Sequence, residues 1–205
     1  INDLGDLENL AYLLRHDTVY HAYDKEVKAV KREAVDEKTM QAGELVVAGK
    51  HIAVLQQKDP AQLPWGAFNV DVVVECTGFF ESFEKASVHV TAAGAKHVVI
   101  SAPAKDEEGV DGGRTILMGI NEEILHACAV SSNGSCTTNA TAPLVQVLHE
   151  GIGISKAMLS TVHAYTATQS LTDAPTKGKD FRRGRAAAVN IVPSTTGAAV
   201  SVTRA

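Results

Sequence analysis

The sequence predicts an α/β protein with a parallel sheet, on the strength of three consecutive segments. Residues 70–76 are β-branched and almost continuously apolar, which is typical of a strand buried on both faces of a parallel sheet. A segment with helical signals follows at 82–93, and a second buried-strand pattern follows at 96–101. Strand, helix and strand in this order form a βαβ unit, the repeating unit of parallel sheets.

The elements before this unit are predicted to be short strands. Residues 27–34, 45–48 and 52–57 alternate between apolar and polar, and Gly49–Lys50 supplies a turn between the last two. We therefore expect a hairpin-rich insertion ahead of the parallel sheet. Within the βαβ unit, Ser82 is the predicted helix cap and Gly94 the predicted helix end.

The elements after the βαβ unit begin with a charged, glycine-containing surface loop at 105–114. Further strands are predicted at 115–118 and 129–132, the second being the last of the sheet. A helix should then run from 135 to about Glu150, where glycines end it. The remaining predictions are a strand at 154–166, a polar basic loop at 170–185 and a helix of small residues starting near Ala186.

Composition excludes several functional classes. The chain has 205 residues, of which 45% are hydrophobic and 21% charged, so it can bury a core and does not resemble a disordered tail. With 19 basic and 24 acidic residues its net charge is −5, which argues against nucleic-acid binding through a general basic face. The apolar runs are too short to cross a bilayer, and we expect no membrane partner.

The three cysteines, Cys76, Cys128 and Cys136, match neither a zinc-binding spacing nor a disulfide framework. We therefore expect no metal site and a reducing, cytoplasmic location. The chain begins at Ile1 without the basic and apolar regions of a secretory signal, and we expect it to be part of a longer protein.

Cys136 has the sequence context of a nucleophile. It stands where a helix begins, so unpaired backbone N–H groups and the helix dipole should stabilise its thiolate. A charged partner is also needed, because an unperturbed thiol has a pKa of about 8.5. His163, which follows the helix by one predicted strand, is the natural candidate, although spacing alone does not establish the contact. A cysteine hydrolase would use the same pair.

The other cysteines and histidines are given structural roles. Buried cysteines mostly behave as small hydrophobic residues, and nothing around Cys76 or Cys128 argues otherwise. The same interpretation applies to the remaining histidines, which are His16, His21, His51, His89, His97, His126 and His149.

The segment around Cys136 resembles the active-site signature of glyceraldehyde-3-phosphate dehydrogenases, in which Ser-Cys-Thr-Thr-Asn is the recurring core. Other stretches resemble the same family in matching order along essentially the whole chain. They are 1–3, 59–60 with 64–66, 75–79, 101–103, 162–166 and 193–199. The resemblance implies an incomplete Rossmann-type doubly wound parallel sheet at 1–134, followed by the start of an α+β catalytic domain at 135–205.

The resemblance also implies a reaction. Cys136 adds to the aldehyde of glyceraldehyde 3-phosphate, and His163 takes the hemithioacetal proton as hydride leaves for NAD. Inorganic phosphate then attacks the acyl thioester and releases 1,3-bisphosphoglycerate, a step of glycolysis. Erythrose 4-phosphate is an alternative substrate, a non-catalytic binding module is an alternative function, and a homotetramer is the implied assembly.

The family pattern implies two anion pockets. The matching residues carry hydroxyl groups, backbone N–H donors or a guanidinium group, all of which suit phosphate. They are Ser135, Thr137, Thr166, Arg182, Thr196 and Gly197. A solvated or subunit-facing basic loop is the alternative interpretation for Arg182, Arg183 and Arg185.

Four residues are implied in NAD binding. Asp3 should accept hydrogen bonds from the adenosine ribose and repel a 2′-phosphate, favouring NAD over NADP. Lys58 stands where the family commonly has an arginine beside the adenine, and Thr77 and Ser101 should lie at carboxyl ends of parallel strands. The glycine-rich fingerprint G-x-G-x-x-G of such sites does not occur in the sequence, and Ala174 departs from the family pattern in a way that leaves NADP use open.

Overall fold

The N-terminal part of the chain forms a small α/β layer. A computed structural model describes residues 1–33, 40–176 and 178–205. Helix α1 begins behind Asp6, whose carboxylate accepts hydrogen bonds from two backbone N–H groups of the first turn. The elements of this part are α1 (Leu7–Arg15), β1 (His16–Asp17), β2 (His21–Ala22), β3 (Val27–Lys31), β4 (Gln41–Val47) and β5 (Lys50–Leu55).

The predicted hairpin region is an antiparallel sheet in the order β3-β4-β5. Helix α1 packs on one face of it, and the buried side chains between them are Leu7, Ala11, Val27, Leu45 and Val54. Strand β3 ends at Lys31 rather than at Ala34, and Ala34 lies outside the described residues. The backbone of Asn2 pairs in parallel with Leu55, which brings the start of the chain beside the end of β5.

The four-stranded sheet that follows the antiparallel one is parallel, as the sequence predicts. Its strands are β6 (Val72–Glu75), β7 (His97–Ile100), β8 (Arg114–Thr115) and β9 (Val130–Ser132). They lie in the order β6-β7-β9-β8, and each neighbouring pair is parallel. With helices connecting β6 to β7, this is the mixed α/β architecture of a Rossmann-type sheet.

The connection between β6 and β7 is two short helices rather than one. Helix α2 (Phe83–Ala86) and helix α3 (Val88–Thr91) meet at Ser87, whose hydroxyl donates to the Glu84 carbonyl at 2.7 Å. A serine side chain that bonds locally to the backbone competes with helical hydrogen bonding, which accounts for the break. The predicted cap at Ser82 is present, since Ser82 accepts from the Lys85 N–H. The predicted end at Gly94 was placed too late, because α3 ends at Thr91 with Ala92 as its C-cap, and Gly94, with a φ of 84°, lies beyond it.

Strand β6 departs from the prediction that both of its faces are buried. Val73 and Glu75 are buried, whereas Val72 is 50% exposed and Val74 is 60% exposed. Cys76, which was expected to be a small buried residue, is also exposed, while Cys128 is buried as expected. The sequence pattern reports apolar character, but the core of Leu55, Phe83, Val98, Ile100 and Val130 covers only one face of this strand.

The C-terminal part contains the longest helix, α4 (Cys136–Ile152), which ends at Gly153 with a φ of 77°. The strand predicted at 154–166 is absent, and these residues have no regular secondary structure. Met158 is 95% and Val162 100% exposed, so no neighbouring strand in the described structure provides the ladder that a strand requires.

The helix predicted near Ala186 was also placed too early. A 3₁₀ turn occupies Ala187–Val189, and helix α5 (Ala198–Arg204) begins only after Pro193 and Gly197. Proline keeps the preceding residue extended and so delays helix formation. In the part of the chain that the structure describes, further 3₁₀ turns lie at Pro60–Gln62, Val110–Gly112, Glu122–Ala127 and Phe181–Gly184. Within the described residues, no helix has both the length and the apolar character needed to span a bilayer.

A glycine beside the core tests the packing of α2 against the sheet. A Cβ added to the buried Gly113 would lie 2.2 Å from Cγ of Phe83, a fully buried side chain. We expect Gly113→Ala to lower the free energy of unfolding by about 1–3 kcal/mol, because the added methyl group would overpack the core. Urea denaturation measures this change. Gly151→Ala is the matched control. It points into open space within α4 and should raise that free energy by roughly 0.5–1 kcal/mol.

Candidate active site

Cys136 is the first residue of α4 and follows the buried strand β9 after a short turn. Gly134 makes the turn between them with a φ of 64°, and a Cβ at this position would press against Thr138 at 3.1 Å. The sulfur therefore lies at the N-terminus of a helix of 17 residues, where backbone N–H groups have no partner within the helix. This position favours a thiolate over a thiol.

Ser135 is the cap of this helix. Its hydroxyl oxygen accepts from the Thr138 N–H at 3.0 Å and lies 2.8 Å from the Thr138 hydroxyl, which is fully buried. The side chain of Asn139 adds to the turn by donating to the carbonyls of Asn133 and Ser135. These contacts fix the backbone at Cys136 before any ligand binds.

The cap provides a stability prediction. We expect Ser135→Ala to lower the free energy of unfolding by about 1 kcal/mol, because the Thr138 N–H loses its acceptor. Ser135→Asp should retain most of the stability, and the exposed Ser155→Ala should change it by less than about 0.5 kcal/mol. Equal losses for Ser135→Ala and Ser155→Ala in urea denaturation would contradict the capping role.

The structure places His163 beside Cys136. The Nε2 atom of His163 lies 3.1 Å from the Cys136 sulfur, and Nδ1 lies 2.7 Å from the carbonyl oxygen of Ala164. A carbonyl only accepts, so Nδ1 carries hydrogen and donates to it. Nε2 is consequently the nitrogen that exchanges a proton with the sulfur. Both side chains are exposed, so a ligand from solvent can reach the pair.

The contact shifts the protonation of both groups. The hydrogen bond with His163 lowers the pKa of Cys136, and N–H and side-chain hydrogen bonds from Thr137 act in the same direction. The hydrogen bond with Cys136 raises the pKa of His163, and the bond to the Ala164 carbonyl contributes. Opposite shifts of this kind favour a thiolate–imidazolium pair, the reactive form of a cysteine nucleophile.

Three segments that carry predicted anion-binding residues lie close together. Arg183 joins them, because its guanidinium donates to Thr168 at 2.7 Å and to Ser194 at 2.8 Å. The hydroxyl oxygen of Thr166 lies 3.0 Å from the hydroxyl oxygen of Thr168. The sequence offered no signal that separated Arg183 from the other arginines of its loop.

The remaining predicted anion ligands have other partners in this structure. Arg182 forms a two-point ion pair with Asp180 at 2.7 and 3.0 Å, and no hydrogen bond between described residues joins it to Cys136 or His163. The Thr196 hydroxyl accepts from the Ala198 N–H, and Gly197 precedes α5. Their roles in phosphate binding stay predictions.

A separate cavity of about 370 Å³ opens beside the carboxyl end of β6. It is lined by three of the four predicted cofactor residues, Asp3, Lys58 and Thr77. Ser101 does not line it, and its backbone N–H instead donates to the Glu75 carbonyl. Ligands of open α/β sheets bind outside the carboxyl ends of the strands, which is where this cavity lies.

The cavity suits the adenosine half of a dinucleotide. Pro60, Leu63, Phe79 and Phe80 provide apolar walls, against which a flat base can pack. Asp3 contributes a carboxylate at the rim, where one oxygen accepts from the Gly5 N–H at 2.7 Å. Carboxylate oxygens are suitable acceptors for ribose hydroxyl groups. Across residues 1–33, 40–176 and 178–205 there is no cluster of three metal-binding side chains.

The parallel sheet with its terminal cavity and the cysteine–histidine pair at a helix N-terminus define an α/β protein of the dinucleotide-binding class. Residues 1–83 match a family model described as the NAD binding domain of glyceraldehyde 3-phosphate dehydrogenase, and residues 135–205 match its C-terminal domain. The chain belongs to the glyceraldehyde-3-phosphate dehydrogenase family.

Curated relatives from distant organisms agree with this assignment. The chain is 47% identical over 204 residues to glyceraldehyde-3-phosphate dehydrogenase of Geobacillus stearothermophilus, covering 98% of this chain and 55% of the relative. It is 44% identical over 203 residues to that of Clostridium pasteurianum, covering 98% and 56%. Identity to the cytosolic enzyme of Trypanosoma brucei brucei is 45% over 202 residues, with coverage of 98% and 56%. The chain therefore spans a little over half the length of these relatives.

Proposed function

We propose that the whole protein is an NAD-dependent phosphorylating dehydrogenase that converts glyceraldehyde 3-phosphate to 1,3-bisphosphoglycerate in glycolysis. The observation that carries the proposal is the 3.1 Å contact between the Cys136 sulfur and Nε2 of His163 at the start of α4. Family membership adds the substrate and the cofactor to this proposal.

The first step that we propose is addition of the Cys136 thiolate to the aldehyde carbon, which forms a carbon–sulfur bond and an alkoxide. Nε2 of His163, protonated in the ion pair, donates its proton to that oxygen and gives a hemithioacetal. The same nitrogen then accepts the hydroxyl proton back during oxidation to the thioester. Nδ1 of His163 stays hydrogen-bonded to the Ala164 carbonyl, so the ring keeps its orientation throughout.

NAD, when bound, supplies the acceptor for the hydride lost in this oxidation. Asp3, Lys58 and Thr77 would hold its adenosine half in the cavity beside β6, and we propose Ser101 as a further contact. Phosphate oxygen then attacks the thioester carbon, and the carbon–sulfur bond breaks to regenerate the thiolate. Backbone N–H groups at the start of α4 would stabilise the oxyanion that forms during this attack.

Two phosphate groups must be held, one on the substrate and one as inorganic phosphate. We propose Ser135, Thr137, Thr166, Arg182, Thr196 and Gly197 as their ligands. Arg183 supports this assignment indirectly, because it holds the segments of Thr168 and Ser194 together. Use of Arg182 requires its guanidinium to exchange its present partner, Asp180, for phosphate.

The proposed protein is cytoplasmic and homotetrameric, with a division into a cofactor-binding domain at 1–134 and a catalytic domain at 135–205. Its activity is tested by NADH absorbance with the whole protein, NAD, glyceraldehyde 3-phosphate and phosphate. We expect NADH to form only when phosphate is present in multiple-turnover conditions. Absence of NADH from folded, NAD-bound protein would contradict the proposal, and faster turnover of erythrose 4-phosphate would reassign the substrate.

A further inference from the structure

A hydrogen-bond relay of buried polar groups runs from the core to the cavity beside β6. The indole N–H of Trp65 donates to Nδ1 of His89 at 3.1 Å, and Nε2 of His89 lies 3.0 Å from Oε2 of Glu75. The other carboxylate oxygen, Oε1, accepts from the Thr77 N–H at 2.7 Å and from the Thr77 hydroxyl. Trp65 is 8%, His89 4% and Glu75 5% exposed, so water does not compete for these bonds.

The donors and acceptors of this relay have one consistent arrangement. An indole N–H can only donate, so Nδ1 of His89 must accept and carries no hydrogen. The imidazole proton is then on Nε2, from which it points to Glu75. Trp65 and Glu75 together fix the tautomer of a histidine that has no part in the proposed chemistry.

Glu75 is the charged group at the centre of the relay. Burial disfavours its charge, but the bonds from His89 and Thr77 outweigh this and lower the pKa of Glu75. A carboxylate that receives three donors has the acceptor capacity to satisfy them, whereas a protonated carboxyl group would oppose one of them with its own O–H. In the described structure its ion-pair geometry involves only His89, and no lysine or arginine neutralises it.

The consequence reaches the cavity through Thr77. Its hydroxyl hydrogen is committed to Glu75, so its oxygen keeps only acceptor capacity, part of which binds the Phe79 N–H at 3.2 Å. Thr77, Glu75 and Asp3 all line the cavity, where Lys58 is the one cation among the lining residues that the structure describes. An anionic group placed at Thr77 would meet an acceptor backed by a buried negative charge.

We propose that Trp65, His89 and Glu75 are positioning residues that hold the Thr77 hydroxyl as an acceptor, so that this part of the cavity selects neutral hydrogen-bond donors, such as hydroxyl or amino groups, over anions. The ligand assignment rests on the proposed function, because adenosine supplies such donors. The hydrogen-bond relay itself does not depend on the ligand, because it consists only of contacts between residues of this protein.

The relay is tested first without a ligand, by ¹⁵N NMR of the histidine side chains of the intact protein. Loss of its signals in His89→Gln identifies His89. We expect the wild-type imidazole to carry its proton on Nε2 and Trp65→Phe to keep that tautomer, because the Glu75 carboxylate still accepts from Nε2. The ¹⁵N chemical shift of Nδ1 should change in Trp65→Phe, because the indole donor is removed. A wild-type proton on Nδ1, or an unchanged Nδ1 shift in Trp65→Phe, would overturn the relay.

Ligand selection is tested by calorimetric titration of the intact protein with adenosine. Glu75→Gln should weaken binding about tenfold, because its amide cannot accept from both His89 and Thr77. Thr77→Val should weaken it to a similar extent, and Thr77→Ser should restore it to within about twofold of wild type. Glu84→Gln, an exposed change on α2 outside the cavity, is the matched control and should bind as wild type does.

A double-variant cycle separates positioning from general stability. If Glu75 acts through Thr77, Glu75→Gln should have no further effect on adenosine affinity in a Thr77→Val background. A further tenfold loss in that background would mean that Glu75 only maintains the fold and would overturn the proposal. Failure of wild type to bind adenosine or NAD would reject the proposed cofactor and the ligand assignment together, while the NMR result would still decide the relay.

Discussion

Cys136→Ser is expected to abolish the dehydrogenase activity of the whole protein. A serine hydroxyl at the same position has the same hydrogen-bond partners, but it is far less acidic than a thiol and is not held as an anion by His163. Without the sulfur there is no thioester to conserve the energy of the oxidation. NADH formation should fall below detection, and intact-mass measurement in the absence of phosphate should show no acyl adduct.

The other two cysteines provide the controls for this prediction. Cys76 is exposed and Cys128 is buried, and neither contacts His163. Cys76→Ser and Cys128→Ser should both retain activity and the acyl adduct. An adduct that survives in Cys136→Ser and disappears in either control would place the nucleophile elsewhere and reject the proposed mechanism.

His163→Asn is expected to lower the turnover rate by about 10²–10⁴-fold, the usual contribution of a general acid–base group. Asparagine can still hydrogen-bond to the sulfur, but it cannot store the proton that moves during the reaction. The alkylation rate of Cys136 by iodoacetamide measures the second effect of this change. Its pH midpoint should rise toward the ordinary thiol value of about 8.5, because the partner that lowers the pKa is gone.

The sign of this pH dependence follows from the two shifts. The pKa of Cys136 is lowered, so wild-type reactivity persists below the usual thiol range and is lost as the pH falls through the lowered value. The pKa of His163 is raised, so the ring remains charged through the range in which the thiolate first forms. In His163→Asn the thiolate should instead form only at higher pH.

A Cys76→Ser background isolates the alkylation of Cys136, because Cys76 is also exposed to the reagent. The matched control is His149→Asn, an exposed histidine in the last turn of α4. This variant should keep both the turnover rate and the alkylation midpoint. An unchanged midpoint in His163→Asn would mean that the helix N-terminus alone activates the sulfur.

Local sequence signals predicted much of the fold and the nucleophile. The β-branched runs predicted β6 and β7, and Ser135 with Cys136 predicted the start of α4, because strand propensity and helix capping depend on neighbouring residues. The partner of Cys136 needed more than spacing. His163 reaches the sulfur from an irregular segment, not from the predicted strand, and its ring is oriented by the adjacent Ala164 carbonyl.

The sequence by itself determined the βαβ pattern, the helix that begins at Cys136 and the family resemblance, since each of these rests on short motifs that are recognisable in the order of the residues. Only the tertiary structure decided that Val72 and Val74 face outward, that Arg183 joins two loops, and that Trp65, His89 and Glu75 form one buried relay. These features depend on which distant segments pack together. The chemical type of a side chain limits what it can bind. Its burial and its hydrogen-bond partner are decided only once the chain has folded.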